Sequence, residues 1–208
     1  MNLNYYYWVF PNALPHHMCD DIVTYGNSKE ELIGRTAAFK NEVLSQKDIK
    51  DLQKKRDSNV TWMSDRWIYK EIQPYVHEAN KSAGWNFKWD WSEPCQFTKY
   101  KLNQYYDWHC DSFTTPYDRP EDPNLNKKIR KLSAVTSLSD PSEYEGGELE
   151  FNFNNPEHSK KQNIKTCTEM LEKGSIAIFP SFVYHRVRPV KKGTRYSAVI
   201  WNLGYPYE

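Results

Sequence analysis

From about residue 85 onward, the hydrophobic pattern of this 208-residue chain changes to a period of two. Eight short strand-like segments follow one another, and clusters of Pro, Gly, Asn and Asp separate them. Short alternating runs with turn residues between them are typical of antiparallel sheets. The pattern predicts a double-sheet jelly roll built from residues 86–91, 96–100, 105–109, 132–138, 147–153, 175–179, 184–189 and 195–203.

The N-terminal third has a mixed pattern. Residues 5–10 form an aromatic run that predicts an outer strand, and a short helix is expected between Pro15 and Gly26. Residues 40–56 are charged and weakly patterned, so a solvent-facing helix and a mobile loop both fit them. Pro74 should kink the longest helix or mark its start. That helix is expected from the near-helical spacing of Ile68, Ile72, Tyr75, Ala79 and Ala83.

The length fits a single domain over residues 1–208, with helices and a strand in residues 1–84 supporting a jelly-roll core in residues 85–208. Lys and Arg number 28 against 27 Asp and Glu, so no global charge favours binding to nucleic acid or an anionic membrane. No apolar segment is long enough to span a bilayer. The four cysteines form no regular framework and no secretion signal is evident, so we expect a cytoplasmic protein.

Two histidines and one aspartate are the strongest candidates for a metal site. His109 and Asp111 are two residues apart, which on an extended strand puts both side chains on one face. His185 shares its strand face with Val183 and Val187, so it should point into the interior. A lone HxD pair is usually two polar residues on a surface strand. Two imidazoles and a carboxylate together instead suit iron(II), because they leave adjacent coordination positions open.

From Tyr100 to Trp201 the sequence resembles the Fe(II)- and 2-oxoglutarate-dependent oxygenases of the prolyl 4-hydroxylase type, in particular the bacterial PKHD-type hydroxylases. The resemblance lies in Tyr100 and Tyr106 ahead of the HxD pair, then in RKLSAVTSLSDPSEYEGGELEF and KGSIAIFPSFVYHRVRPVKKGTRYSAVIW, and it covers about half of the chain. It implies a mainly β fold with flanking helices (α+β). The core would be a double-stranded β-helix, or jelly roll, with N-terminal helices packed on the outer sheet.

The resemblance also implies roles for individual residues. His109, Asp111 and His185 match the iron ligands of the family, and Arg195 matches the residue that binds the distal carboxylate of 2-oxoglutarate. Arg195, Ser197 and Val199 share one face of the predicted last strand. A guanidinium can hold a carboxylate with two parallel hydrogen bonds, and the Ser197 hydroxyl adds another donor. We therefore expect Arg195 to be catalytic together with the three metal ligands.

Tyr100 corresponds to a tyrosine that helps to bind the cosubstrate, and the Thr136 hydroxyl is a further candidate there. The expected cofactors are Fe(II), 2-oxoglutarate and O2, with ascorbate as an additional candidate. The reaction implied is hydroxylation of an unactivated C–H bond with release of succinate and CO2. A prolyl residue in a peptide or protein is the leading substrate by resemblance. A free amino acid or another small molecule is the alternative.

Substrate contacts are the least determined part of the sequence. Trp108 and Trp201 are candidates for walls on which a proline ring packs, and Tyr117 belongs to a proline-rich loop over residues 113–128 that could serve as a lid. Arg130 lies where PKHD-type proteins carry an arginine, but an exposed loop end explains it equally well. Two other classes stay open, namely a non-catalytic jelly roll that binds a ligand and a zinc hydrolase. The sequence gives no oligomeric state.

Overall fold

The structure is a computed structural model that describes residues 3–36, 44–112, 115–155 and 159–206. Its N-terminal part is mixed, and its elements run in the order β1 (Trp8–Phe10), α1 (His16–Asn27), β2 (Leu32–Ile33), α2 (Gln46–Gln53), β3 (Arg56–Asp57), β4 (Asn59–Met63) and α3 (Arg66–Ser82). The remainder is almost entirely β, with β5 (Trp91–Ser92), β6 (Cys95–Tyr100), β7 (Tyr105–His109), β8 (Ile129–Ser137), β9 (Tyr144–Gly146), β10 (Leu149–Asn152), β11 (Ile164–Thr166), β12 (Ile176–Pro180), β13 (Tyr184–Val187), β14 (Val190–Gly193) and β15 (Arg195–Gly204).

The strands form two main antiparallel sheets. The larger sheet has the order β1-β12-β8-β15-β6-β4-β2, and β5 pairs with β15 beside this path. The smaller sheet has the order β11-β10-β13-β7-β3, and β14 pairs with β9 as a separate ribbon. Neighbours in both sheets are distant in sequence, as in β8 with β15, which is the strand crossing expected of a jelly roll.

The larger sheet lies between the helices and the smaller sheet, and both of its faces are buried. One face packs against apolar residues of α1 and α3, such as Ile22 and Ile72, and contributes Ala134 and Ile200 to that layer. The other face contributes apolar residues to a second cluster shared with the smaller sheet, including Val135, Phe179 and Phe151. The predicted jelly-roll core with N-terminal helices packed on the outer sheet is confirmed. The division of the chain at residue 84 stays a prediction.

Two local predictions need correction. Residues 86–91 do not form a strand, because Asn86 has a positive φ of 53° and the Asn80 side chain bonds the backbone of Phe87 at 2.9 and 3.0 Å. Only Trp91 and Ser92 pair with β15. The helix containing Pro74 begins eight residues earlier, at Arg66, and continues past the proline to Ser82.

The charged segment 40–56 contains a helix in its described part. Ser45 caps α2 by accepting a hydrogen bond from the backbone of Asp48, whose carboxylate in turn accepts one from the Ser45 backbone. Residues 40–43 of that segment lie outside the described part.

All four cysteines are free thiols. In the ranges that the structure describes, no helix combines the length and apolar character that crossing a bilayer requires.

Candidate active site

Three side chains that the sequence proposed as metal ligands meet at the end of β7. His109 is the last residue of β7 and lies directly opposite His185 of β13 in the register of the smaller sheet. Asp111 follows β7 in a turn, where its backbone N–H donates to the Ser181 carbonyl at 2.8 Å. The turn, and not an extended strand, therefore brings Asp111 to the histidines. One potential ligand atom from each residue lies within 4.8 Å of the other two.

The two imidazoles are held in the same way. The Nδ1 atom of His109 lies 2.8 Å from the Asp107 carbonyl oxygen, and that of His185 lies 3.0 Å from the Val183 carbonyl. A carbonyl can only accept a hydrogen bond, so each Nδ1 carries a proton, and in the neutral form of such a ring Nε2 keeps its lone pair. The Nε2 atoms of His109 and His185 lie 3.7 and 3.5 Å from the Asp111 carboxylate oxygens. Both free ring nitrogens thus face the same carboxylate.

Two serines that the sequence did not indicate hold the aspartate. The Ser133 hydroxyl donates to Oδ2 of Asp111 at 2.7 Å and lies 2.9 Å from the Ser181 hydroxyl. Both serines are fully buried. Hydrogen bonds of this kind fix the orientation of a carboxylate that coordinates a metal.

The protonation states in this cluster suit a cation. Burial and the neighbouring His185 hold the pKa of His109 well below its usual range, so its imidazole is neutral. Burial acts to raise the pKa of Asp111, but His185, His109 and Arg130 outweigh it and leave that pKa below the ordinary value. A neutral imidazole and an ionised carboxylate are the forms that bind metal ions.

A small cavity of about 40 Å³ adjoins the cluster, and the positively charged side chain of Arg195 lines it. Arg195 is 2% exposed, and its Nη1 atom has no hydrogen-bond partner among the residues that the structure describes. Ser197 and Val199 line the same cavity, which confirms that the three share one strand face. Tyr100 of β6 lies opposite Arg195 in the sheet register. A buried guanidinium with a spare donor fits the distal carboxylate of 2-oxoglutarate.

The other basic residues of this region have acidic partners. Arg188 lies 3.4 Å from the Glu150 carboxylate, and Lys192 lies 3.2 Å from that of Glu145.

Thr136 does not reach the small cavity. On β8, the side chains of Val135 and Thr136 point to opposite faces of the sheet, and Val135 lines the cavity. Thr136 shares its face with Ala134, which packs towards the helices. The prediction for Thr136 is therefore wrong.

Asp111 also lines a second, larger cavity of about 770 Å³. This cavity shares Tyr106 and Trp201 with the small cavity. Its outer wall comes from the N-terminal part of the chain, where Leu32 and Trp62 are each 44% exposed. The Trp201 side chain is buried, but its Nε1 donor has no hydrogen-bond partner. This cavity combines apolar walls with a free donor, as substrate-binding clefts do.

Arg130 lines the large cavity and is not an exposed loop end. Glu93 accepts two of its N–H donors, one of them from Nε at 3.0 Å, and its guanidinium lies 3.8 Å from the centre of the Trp201 ring. The Tyr117 hydroxyl donates to the same glutamate at 2.9 Å. Tyr117 is not among the described residues that line the large cavity. Its hydroxyl binds Glu93, so the structure does not support the predicted contact of Tyr117 with substrate. Phe113 of its loop lies outside the described residues.

Trp108 lies on the outer face of the smaller sheet. Its ring stacks under the guanidinium of Arg186 at 4.5 Å, and it lines neither cavity. The predicted proline wall at Trp108 is therefore wrong. Tyr106 takes the place beside the metal cluster, because a bulge between β7 and β13 turns it inward with His109, on which it stacks at 3.5 Å.

Comparison with known proteins places this site in a family. The sequence model described as "2OG-Fe(II) oxygenase superfamily" matches residues 95–202, which include both histidines, Asp111 and Arg195. The chain belongs to the 2OG-Fe(II) oxygenase superfamily. The family implies Fe(II) and 2-oxoglutarate, and the free Nε2 atoms and the unpartnered Arg195 donor fit these two groups.

Curated relatives of this chain are PKHD-type hydroxylases. One from Xylella fastidiosa (strain M23) is 32% identical over 108 residues, which are 52% of this chain and 43% of the relative. The YbiX protein of Escherichia coli O157:H7 is 32% identical over 105 residues, which are 50% of this chain and 40% of the relative. The matched segment thus spans less than half the length of these relatives.

Solved structures share the fold over nearly the whole chain. The viral collagen prolyl hydroxylase of Paramecium Bursaria Chlorella virus-1 has a TM-score of 0.63 and 22% identity, and the match covers 97% of both chains. A prolyl hydroxylase from Trichoplax adhaerens has a TM-score of 0.66 and 15% identity, covering 96% of this chain and 84% of that chain. At these identities the likeness concerns the fold.

Proposed function

We propose that this chain is an Fe(II)- and 2-oxoglutarate-dependent dioxygenase that hydroxylates a prolyl residue in a peptide or protein. The observation that carries the proposal is the buried His109, Asp111 and His185 cluster beside the unpartnered guanidinium of Arg195. A zinc hydrolase would use the same three ligands but has no need of a buried cation in an adjoining cavity. A non-catalytic ligand-binding jelly roll would need neither.

Each residue then has a defined task. His109, Asp111 and His185 hold iron(II), and Arg195 pairs with the distal carboxylate of 2-oxoglutarate while Ser197 and Tyr100 complete its pocket. When bound, these two groups supply the oxidative chemistry that uses O2, releases succinate and CO2 and leaves one oxygen atom on the substrate. The protein orients the reactants and excludes water from a buried site. We include ascorbate among the expected cofactors.

The large cavity favours a peptide. A free amino acid needs charged partners for its ammonium and its carboxylate in a closed pocket, whereas a peptide can lie across an open cleft. The exposed Trp62 and the buried Trp201 have ring centres 6.2 Å apart and offer aromatic walls for a proline ring. The solved structures with the same fold include prolyl hydroxylases, one of them in complex with a peptide fragment of hypoxia inducible factor.

Mass spectrometry of reaction products tests the substrate. The purified chain is incubated with iron(II), 2-oxoglutarate and O2, with and without ascorbate, alongside a library of proline-containing peptides and a panel of small molecules that includes free L-proline. We expect peptide products heavier by one oxygen and succinate release well above the background without substrate. Hydroxylation confined to small molecules would overturn the prolyl proposal and leave the oxygenase assignment standing.

A further inference from the structure

A second buried arginine, distinct from Arg195, lines the large cavity. Arg56 is 4% exposed and begins the short strand β3. Its Nε donates to the Ser58 hydroxyl at 2.8 Å, and its Nη1 donates to the Arg35 carbonyl at 2.8 Å. Its guanidinium also lies 4.6 Å from the centre of the Tyr106 ring. The side chain is thus fixed on several sides.

The packing around Arg56 leaves one donor free. Its Nη2 atom is buried without a hydrogen-bond partner, and Arg56 forms no ion pair with any acid in the part of the chain that the structure describes. Gly34 passes so close that a Cβ there would come within 2.7 Å of the arginine Nε. Burying a charge without a counter-charge is strongly unfavourable, so an unpaired buried guanidinium beside a cavity indicates an absent anionic partner.

Other charged residues of the large cavity have partners of their own, since Asp111 belongs to the cluster with the two histidines and Arg35 also takes part in an interaction. Arg130 is neutralised by the two hydrogen bonds to Glu93. Glu31 pairs with Lys99 and Lys101, each at 3.2 Å. Arg56 is therefore a buried positive charge of this cavity that forms no ion pair with an acid among the described residues.

The position of Arg56 points to the substrate and not to the cosubstrate. Arg195 lines the small cavity, whereas Arg56 lines the large one. Tyr106 connects Arg56 to the metal cluster, because the same ring stacks on His109 at 3.5 Å between centres. An anion bound to Arg56 would lie one aromatic ring away from His109. The two guanidiniums thus serve two cavities that meet at the metal ligands.

We propose that Arg56 forms an anion subsite that binds a carboxylate of the substrate, a conclusion that rests on the proposed oxygenase function. The carboxylate is either an acidic side chain near the hydroxylated proline or a free α-carboxylate. A charge-assisted hydrogen bond to a guanidinium is about twice as strong as a neutral one. The subsite therefore selects acidic substrates over their amides.

Binding of matched pairs tests the subsite without requiring turnover. One pair is a proline peptide pool with Asp and Glu against the same pool with Asn and Gln, and the other is N-acetyl-L-proline against N-acetyl-L-prolinamide. The protein is loaded with iron(II) and 2-oxoglutarate under anaerobic conditions, and retained compounds are quantified by mass spectrometry after ultrafiltration. We expect about tenfold better retention of the acidic member of at least one pair. The pair that responds identifies the source of the carboxylate.

The variants separate the subsite from general charge effects. We expect Arg56→Gln to lower the preference to less than about twofold and Arg56→Lys to keep part of it. Arg119→Gln removes an exposed arginine of the same charge and should leave the preference unchanged. The subsite is overturned if the wild type retains both members of both pairs equally, and this outcome does not depend on whether Arg56→Gln folds. It is also overturned if a folded Arg56→Gln protein keeps the preference for the acidic members.

Oxygen is then admitted to the same samples and succinate is measured. Succinate formation with equal retention of acids and amides contradicts the subsite alone. An acid preference without succinate supports the subsite and contradicts the proposed oxygenase function.

Discussion

The two cavities that meet at the metal ligands are built from different parts of the chain. The small cavity of about 40 Å³ is lined by residues between 96 and 201, and Arg195 at its end is fully buried. The large cavity of about 770 Å³ takes its outer wall from residues 31–36 and 44–62, where short elements leave apolar side chains half exposed. Under the proposed function, the sheets of the core would hold the cosubstrate, whereas the N-terminal segments would determine which substrate fits.

The largest expected effect comes from the ligand that both cavities share. Asp111→Ala removes the carboxylate between the two Nε2 atoms, so iron binding and succinate release should fall to background. The fold should persist, because the sheets do not depend on this turn residue. Asp107→Ala is the control, since its half-exposed side chain lies on the same strand as His109 and only its backbone carbonyl contacts that imidazole. Turnover by the Asp111→Ala protein would contradict the shared metal site.

Arg195→Met should affect the small cavity alone. It keeps much of the side-chain volume but removes the charge that pairs with the distal carboxylate, which costs roughly 3–5 kcal/mol in 2-oxoglutarate binding. Calorimetric titration of the iron-loaded protein measures the loss. Arg188→Met removes a partly exposed arginine that pairs with Glu150 and should bind 2-oxoglutarate normally. The opposite result would move the cosubstrate contact to Arg188.

Glu93→Gln should affect the large cavity alone. It leaves the nearly buried guanidinium of Arg130 without its counter-charge, so we expect unfolding to become easier by about 3 kcal/mol. The KM for substrate should rise, because the Arg130 guanidinium is no longer fixed against the Trp201 ring. The affinity for 2-oxoglutarate should stay unchanged. Glu121→Gln breaks an exposed pair with Arg119 and should change neither quantity. A change in 2-oxoglutarate affinity would show that the two cavities are coupled.

Ser133→Ala tests the support of the metal ligand. The variant removes the hydrogen bond to Asp111, and the loss of such a contact lowers metal affinity by about 10- to 100-fold. Competition with a chelator measures the affinity. Ser142→Ala, which removes an exposed serine that bonds Asp140, should behave like the wild type. Equal affinity of Ser133→Ala and the wild type would show that the turn alone orients Asp111.

The smallest effect is a pH dependence of the metal-free protein. The pKa of His109 is depressed in the folded state, so below about pH 6.5 the unfolded chain binds a proton that the folded chain does not. Stability therefore falls as the pH falls, by about 1 kcal/mol between pH 7 and 5.5 for this residue. Urea unfolding at both values measures it. His109→Asn should lose this part of the pH dependence, and an unchanged pH dependence would contradict a neutral buried His109.

The same division explains how much the sequence predicted. Alternation along the last strand correctly grouped Arg195, Ser197 and Val199, because the period of two is exact within a regular strand. Thr136 was misplaced because β8 is buried on both faces, so hydrophobicity does not distinguish the cavity side from the helix side. Tyr106 turns inward only through a bulge in the pairing of β7 with β13, which the sequence does not reveal.

The sequence did not predict most of the residues that line the large cavity. Glu93 meets Arg130 across 37 residues of chain, and no local pattern encodes such a contact. Arg56 belongs to a charged stretch that fits a solvated surface, yet strand pairing of β3 with β7 buries it. Contacts between distant segments depend on the packing of the whole fold, so only the structure identifies them.

A crystal structure of the protein with manganese(II), as a redox-inert substitute for iron, and 2-oxoglutarate tests the division between the two cavities most directly. We expect the metal on Nε2 of His109, Nε2 of His185 and the Asp111 carboxylate, with the distal carboxylate of 2-oxoglutarate on Arg195 in the small cavity. The large cavity should remain open to substrate. A metal bound elsewhere, or 2-oxoglutarate bound to Arg56 in the large cavity, would contradict the account.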